Sequence, residues 1–249
     1  MCCGELPRCW MRRILAHATH VKIRRINGQD SNMNIEQARF NMVEQQIRPW
    51  DVLDQGVLDL LHAIHREDFV PPEHAALAFV DMEIPLGAGE SMWMPKLEAR
   101  AVQELDIRPV DRVLEIGTGS GYLTALLARL AAEVVSVDIV PAFTAAASEK
   151  LHAHGITNVQ LHTGDAAHGW MDEAGFDAIV LTGSTPLLAD RFRQSLRVGG
   201  RLFAIVGEAP VMQAQLITCI ASGAYRSVTL FETSVKALVN APHPAAFVF

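Results

Sequence analysis

The chain has 249 residues, half of them hydrophobic, and a formal net charge of −7. That is enough apolar material for one sizeable core and one elaborated domain, while the acidic balance argues against a general nucleic-acid binder, whose phosphate contacts need a basic face. No unbroken apolar run approaches the roughly 18 residues that a membrane span requires.

The first 33 residues stand apart in character. Arg8, Arg12, Arg13, Lys22, Arg24 and Arg25 fall there against only Glu5 and Asp30, together with Cys2, Cys3 and Cys9. An Arg-rich, acid-poor segment resembles an organellar targeting arm, yet it lacks serine enrichment and has no long apolar core of the secretory kind. The simpler expectation is a basic extension over residues 1–33, disordered or lying ahead of a native start at Met33, followed by a single domain over 34–249. Asn34 followed by Gln37 supports this, as a capping-box-like helix start directly after Met33.

An amphipathic helix is expected from about Ile35 to Ile47, broken by Pro49 and Asp51. A second begins near Asp54 and carries Val57, Leu58, Leu60, Leu61 and Ile64 at helical spacing. Pro71-Pro72 opens a loop region that runs to Pro95, and a helix over Lys96–Leu105 leads into the first strand of a sheet.

Residues 113–121 read Val-Leu-Glu-Ile-Gly-Thr-Gly-Ser-Gly, the form of a strand, a tight turn and a helix N-terminus made to hold a nucleotide-like ligand. A dinucleotide fingerprint has a small residue where this chain has Tyr122. The bulk there disfavours a diphosphate, and with it a nicotinamide-dependent oxidoreductase, and suits S-adenosylmethionine, whose methionine end lies along a bare turn. The expectation is that exposed amides beside Gly117, Gly119 and Gly121 grip this ligand, with Thr118 and Ser120 in the cradle and Glu115 bracing it. After a helix from Tyr122 to about Leu130, the strand Glu133–Asp138 ends in a carboxylate placed for ribose hydroxyls. A strand near Val159–Leu161 runs into Asp165, placed for the adenine amine, and Phe176–Thr182 is apolar enough for a buried parallel strand. Each Asp alone also fits a turn or cap; three strand-end acids in register favour the ligand.

The tail differs, with β-rich stretches at Ala214–Ala221 and Ser227–Leu238 around Ser222-Gly223, the pattern of an antiparallel edge hairpin. Cys219 sits in an apolar run as a buried thiol, so a reducing, cytoplasmic setting is expected. The scattered histidines give no metal spacing.

Val113–Tyr122, Gly164-Asp165, Gly169-Trp170, Phe176–Ile179, Gly199-Gly200 and Val206–Glu208, with Arg66–Val70 and Ile84–Gly89 upstream, together resemble the protein-L-isoaspartate O-methyltransferase family over roughly Leu53 to Leu238. The resemblance implies a Rossmann-like class I methyltransferase: an α/β fold with a doubly wound, mostly parallel sheet, N-terminal helices and a C-terminal antiparallel edge hairpin. It also implies S-adenosyl-L-methionine as cofactor, methyl transfer to the carboxylate of isoaspartyl residues, a role in protein repair, and a protein or peptide partner. A carboxylate with its ordinary pKa of about 4 is already ionised at neutral pH, so no strong general base is needed.

The chain departs from the family's Thr-Ile-Ser-x-Pro stretch. It reads Ser91-Met92-Trp93-Met94-Pro95, with Trp93 at the serine position and Ser91 at the threonine, which leaves Ser91 as the candidate catalytic hydroxyl. The family's Phe-Val-Pro near the end is also altered, since Val235-Lys236-Ala237-Leu238-Val239 has no proline. Trp93 fits either a packing plug closing the acceptor pocket or a pocket remodelled for a flat or apolar acceptor, lined by Met and Trp, in which case the partner is an unidentified small acceptor. A non-catalytic homologue that keeps the cofactor pocket is the alternative reading.

Overall fold

The seven-stranded sheet at the centre of this computed structural model is organised by runs of Val, Ile and Leu that are buried on both faces. The structure describes residues 28–170 and 174–245, and the chain separates into two units between Glu36 and Gln37. Cys2, Cys3, Cys9 and the basic residues of the expected extension lie outside the described residues. Helix α1 spans Gly28–Met42, so Asn34 sits within a helix instead of capping one, which corrects the expected start; the helical path continues to Ile47 as a π-helical turn.

In the larger unit α2 (Gln55–Ala63) is capped by Asp54, whose side chain accepts from the Val57 amide at 3.0 Å, an N-cap that contributes about 1 kcal/mol. The stretch expected as loop contains a 3-10 turn over Pro72–Leu77 and a two-stranded hairpin, β1 (Ile84–Gly87) and β2 (Glu90–Met92). Its glycines and short length hide the alternation from which strands are read. Helix α3 (Pro95–Leu105) follows with Pro95 in its first turn, where the missing N–H costs nothing.

Strand β3 (Arg112–Ile116), α4 (Tyr122–Leu130), β4 (Glu133–Asp138), α5 (Pro141–Ala153) and β5 (Val159–Thr163) form one half of the sheet. The chain then crosses to the other side of β3 with β6 (Phe176–Thr185), α6 (Asp190–Gln194) and β7 (Leu196–Glu208). Strands β8 (Val211–Ala221) and β9 (Ala224–Thr233) close the edge as the expected hairpin. The strand order is β5-β4-β3-β6-β7-β8-β9, parallel through β7 and antiparallel beyond.

Alternate residues of each strand enter separate cores. Val113, Val134, Val180 and Phe203 pack with α2, α3 and α4, while Leu114, Val135, Ile179 and Leu202 pack with Phe192 of α6. The direction of winding reverses between β4–β3 and β3–β6, and at such a reversal the connections diverge above the carboxyl ends of the strands and open a crevice. No helix among the described residues is long and apolar enough to cross a membrane.

Candidate active site

A cleft of about 740 Å³, its open mouth included, lies above the carboxyl ends of β3, β4 and β6. Its walls include Gly117, Gly119, Asp138, Asp165, Thr182, Ser91 and Trp93, and a smaller recess beside it takes in Thr118, Ser120, Met92 and Glu98. Gly121 forms the N-cap of α4 at φ +84°. The glycines are required by space as well as by φ. At Gly117, where φ is +98°, an added Cβ would stand 2.0 Å from Thr182 Oγ1.

Each anticipated ligand group is drawn into the local structure in its own way. The amides of Gly117, Gly119 and Gly121 all have internal acceptors: the Val137 carbonyl at 2.7 Å, Asp138 Oδ2 at 2.8 Å and the Thr118 carbonyl at 2.9 Å. The three glycine amides themselves are therefore engaged within the protein. What the turn offers is a surface without side chains, on which a ligand can lie close to the backbone. Tyr122 likewise turns inward. Its ring is fully buried, 5.6 Å from that of Phe69 and beneath the Arg66 guanidinium, so its bulk takes no room from the cleft.

Glu115 does not line the cleft. Its Oε2 accepts from Thr124 at 2.5 Å and Ser136 at 2.6 Å, and Ser136 in turn meets Thr118 Oγ1 at 2.6 Å. It braces the turn from beneath, joining β3 to β4 and α4, and burial pushes its carboxyl up to about 8. Asp138 holds the Gly119 amide on Oδ2 and the Val140 amide on Oδ1, both at 2.8 Å. Burial pushes its carboxyl up against the pull of those amides. The turn-capping reading applies to this side chain, and each of its oxygens retains a second lone pair. Asp165, which is exposed, accepts from the Ala167 amide at 3.0 Å and from Asn240 at 2.8 Å, and these hydrogen bonds hold its carboxyl low.

Ser91, also in the cleft lining, is half-buried and its hydroxyl donates to Glu83 at 3.0 Å. Trp93 is 6% exposed. It packs edge-on to Phe203 at 6.4 Å while contributing to both compartments, so it serves as wall and core together and leaves the cleft open. Its carbonyl accepts from Arg66 Nη2 at 2.6 Å, and Arg66 also donates to the Ala78 carbonyl and pairs with Glu98. Sequence reading missed Glu83, Glu90, Thr182, Lys236 and Leu238 in the wall and the Arg66–Glu98 pair behind it. Of these only Thr182, at the end of an expected parallel strand, carried a positional signal.

A doubly wound sheet with a glycine turn after its first parallel strand and acids after the next two defines a class I methyltransferase, the enzyme class built around S-adenosylmethionine. The family described as Protein-L-isoaspartate(D-aspartate) O-methyltransferase (PCMT) matches residues 37–234. The chain belongs to the protein-L-isoaspartate O-methyltransferase family. It is 43% identical over 169 residues to the enzyme of that name from Methanoculleus marisnigri, covering 68% of this chain and 77% of the relative. To Protein-L-isoaspartate O-methyltransferase 2 of Marinobacter nauticus it is 35% identical over 204 residues, covering 82% and 91%. Among solved structures, one named for the same methyltransferase from Plasmodium falciparum, in complex with S-adenosyl-L-homocysteine, superposes with a TM-score of 0.67. It is 18% identical, over 82% of this chain and 97% of that one, a likeness of fold.

Proposed function

We propose that the chain transfers a methyl group from S-adenosylmethionine to the carboxylate of isoaspartyl residues in damaged proteins, and so initiates their repair. The single observation that carries the reading is the cleft itself, which gathers Gly117 and Gly119 of the glycine turn with Asp138, Asp165, Ser91 and Trp93. The relatives' common name supports the acceptor. S-adenosylmethionine supplies a methyl carbon bonded to a cationic sulfur, which a carboxylate oxygen displaces with no proton transferred.

The fit rests on the missing side chains: a methyl group on Gly117 would collide with Thr182. Gly117, Thr118, Gly119 and Ser120 form the surface for the methionine part, Asp138 takes the ribose and Asp165 the adenine, while Gly121 lies outside the cleft lining, with Ala147 and Phe69 where its side chain would be. Ile116, Val137, Phe143 and Leu238 supply apolar walls that exclude water, and exclusion of water together with alignment is the catalysis such a reaction needs. Trp93 cannot copy a serine hydroxyl, and Ser91 is the hydroxyl on the acceptor wall. The common name of the relatives, an O-methyltransferase in each case, favours the enzyme over a non-catalytic homologue. A protein or peptide partner follows from the acceptor, and a cytoplasmic setting from the buried thiol of Cys219, which has no disulfide partner among the described residues.

Calorimetry with S-adenosylhomocysteine followed by labelled-methyl transfer to an isoaspartyl peptide tests both halves. Binding without any base-labile methyl ester on the peptide would leave the cofactor half standing and remove the acceptor.

A further inference from the structure

We propose that Lys236 is the cation that captures the acceptor carboxylate, leaving Glu90 to do so. The inference rests on the isoaspartyl reading above and names the residue that recognises the anion.

The backbone around Lys236 is fixed. The Ser184 amide donates to the Lys236 carbonyl at 2.9 Å, the Leu238 amide donates to the Ser184 carbonyl at 2.9 Å, and Ser184 Oγ donates to the Val235 carbonyl at 3.1 Å. These bonds tie the tail to the end of β6 beside Thr182 and Gly183, and a Cβ on Gly183 would meet Leu238 at 2.8 Å. From there the Lys236 side chain reaches the tip of the β1–β2 hairpin, where Nζ donates to the Gly89 carbonyl at 2.7 Å and pairs with Glu90. Lys236 and Glu90 both belong to the wall of the cleft.

Charge decides the assignment. The described residues lining the cleft include four carboxylates, on Glu83, Glu90, Asp138 and Asp165, and a single cation, Lys236. An anionic acceptor entering among those carboxylates is repelled unless positive charge meets it, and apart from the sulfonium of the methyl donor, which lies on the line of attack, Lys236 brings the one cationic side chain of the described lining. Neither hydroxyl route supplies the interaction, because Trp93 stands at the serine position and the Ser91 hydroxyl donates to Glu83. The Lys236–Glu90 pair is 47% and 25% exposed at its two side chains, and a partly exposed pair of this kind contributes little. Exchanging Glu90 for a ligand carboxylate therefore costs little, and an ammonium has three donors with which to make the exchange. The acceptor's charge disappears as the ester forms, so a cation beside it favours the bound reactant over the transition state. Lys236 acts on acceptor binding, and its removal reads out in KM more than in kcat.

The experiment titrates an isoaspartyl hexapeptide into the enzyme saturated with S-adenosylhomocysteine, by calorimetry at two salt concentrations, with steady-state kinetics alongside. Lys236→Met is expected to weaken peptide binding and raise KM about tenfold, to lose the salt dependence of binding, and to leave S-adenosylhomocysteine affinity and kcat within about twofold. Lys236→Arg retains binding, and Glu90→Gln, which frees the lysine, tightens it. Peptide affinity and salt dependence unchanged in Lys236→Met, with a wild-type enzyme that methylates the peptide, overturn the role of Lys236 alone. A wild-type enzyme that binds S-adenosylhomocysteine and yields no methylated peptide removes the isoaspartyl acceptor and this assignment together.

Discussion

Arg66 Nη2 donates to the carbonyl of Trp93 at 2.6 Å from a side chain with no exposed surface. The same guanidinium pairs with Glu98 and lies 5.2 Å from the centre of the Tyr122 ring. The acceptor wall and the first residue of α4 after the glycine turn are thus held by one buried cation.

Removing that cation leaves Glu98 buried without its partner, together with two unsatisfied carbonyls. Arg66→Met is expected to destabilise the fold by about 3–5 kcal/mol, seen as a shift of the urea midpoint. Glu98→Gln keeps the shape but leaves a fully buried guanidinium, which cannot give up its proton, without a counter-charge, and is expected to cost a comparable amount. A wild-type urea midpoint in either variant would contradict this account.

Glu115 makes stability depend on pH. Its folded carboxyl is pushed up to about 8 by burial, above its ordinary value of 4.5. The folded state therefore binds more protons than the unfolded chain between those values, and stability falls as pH rises through that window, by at most about 1.4 kcal/mol per pH unit from this group. Glu115→Gln should flatten the profile between pH 5 and 8 in urea titrations. A variant that follows the wild-type slope would mean that Glu115 is ionised in the fold.

Gly117→Ala is expected to abolish S-adenosylhomocysteine binding and to lower the melting temperature by several degrees, because the new methyl group strikes Thr182 Oγ1 and the backbone stays at φ +98°. Adding Thr182→Ala relieves the contact and leaves the backbone strain, itself of order 1–3 kcal/mol. Full recovery of stability in the double variant would show that the strain is absent.

Trp93→Ser restores the family residue at the expense of packing against Phe203, and a loss of about 3–5 kcal/mol is expected for so large a deletion in a core. Trp93→Phe should lose less. Thermal melts of the two variants measure the difference, and a Trp93→Ser protein as stable as wild type would mean that the indole is not part of the core.

The sheet and the cofactor-facing half of the cleft were legible in the sequence because their determinants are local. The apolar run ending at Ile116, the glycines after it, and a carboxylate at Asp138 are read from spacing along one strand-turn-helix unit. The fate of the amides was not legible, since the partners of Gly117 and Gly119 lie on β4 and only folding shows that Val137 and Asp138 reach them. Nor was the inward turn of Tyr122, which depends on Phe69 and Arg66 from the upstream segment. The acceptor half was hidden most deeply. Lys236 and Glu90 are 146 residues apart, and no periodicity joins a tail segment to a hairpin that is itself too short to announce itself.

The two halves of the crevice therefore have separate structural origins. Parallel strands and their turns form the nucleoside side, whereas the side that receives the second reactant comes from a small hairpin before the sheet and a stretch of tail after it. Under the proposed assignment, substitutions in those two peripheral segments alter which acceptor is taken and leave intact the strands and turn that hold the methyl donor.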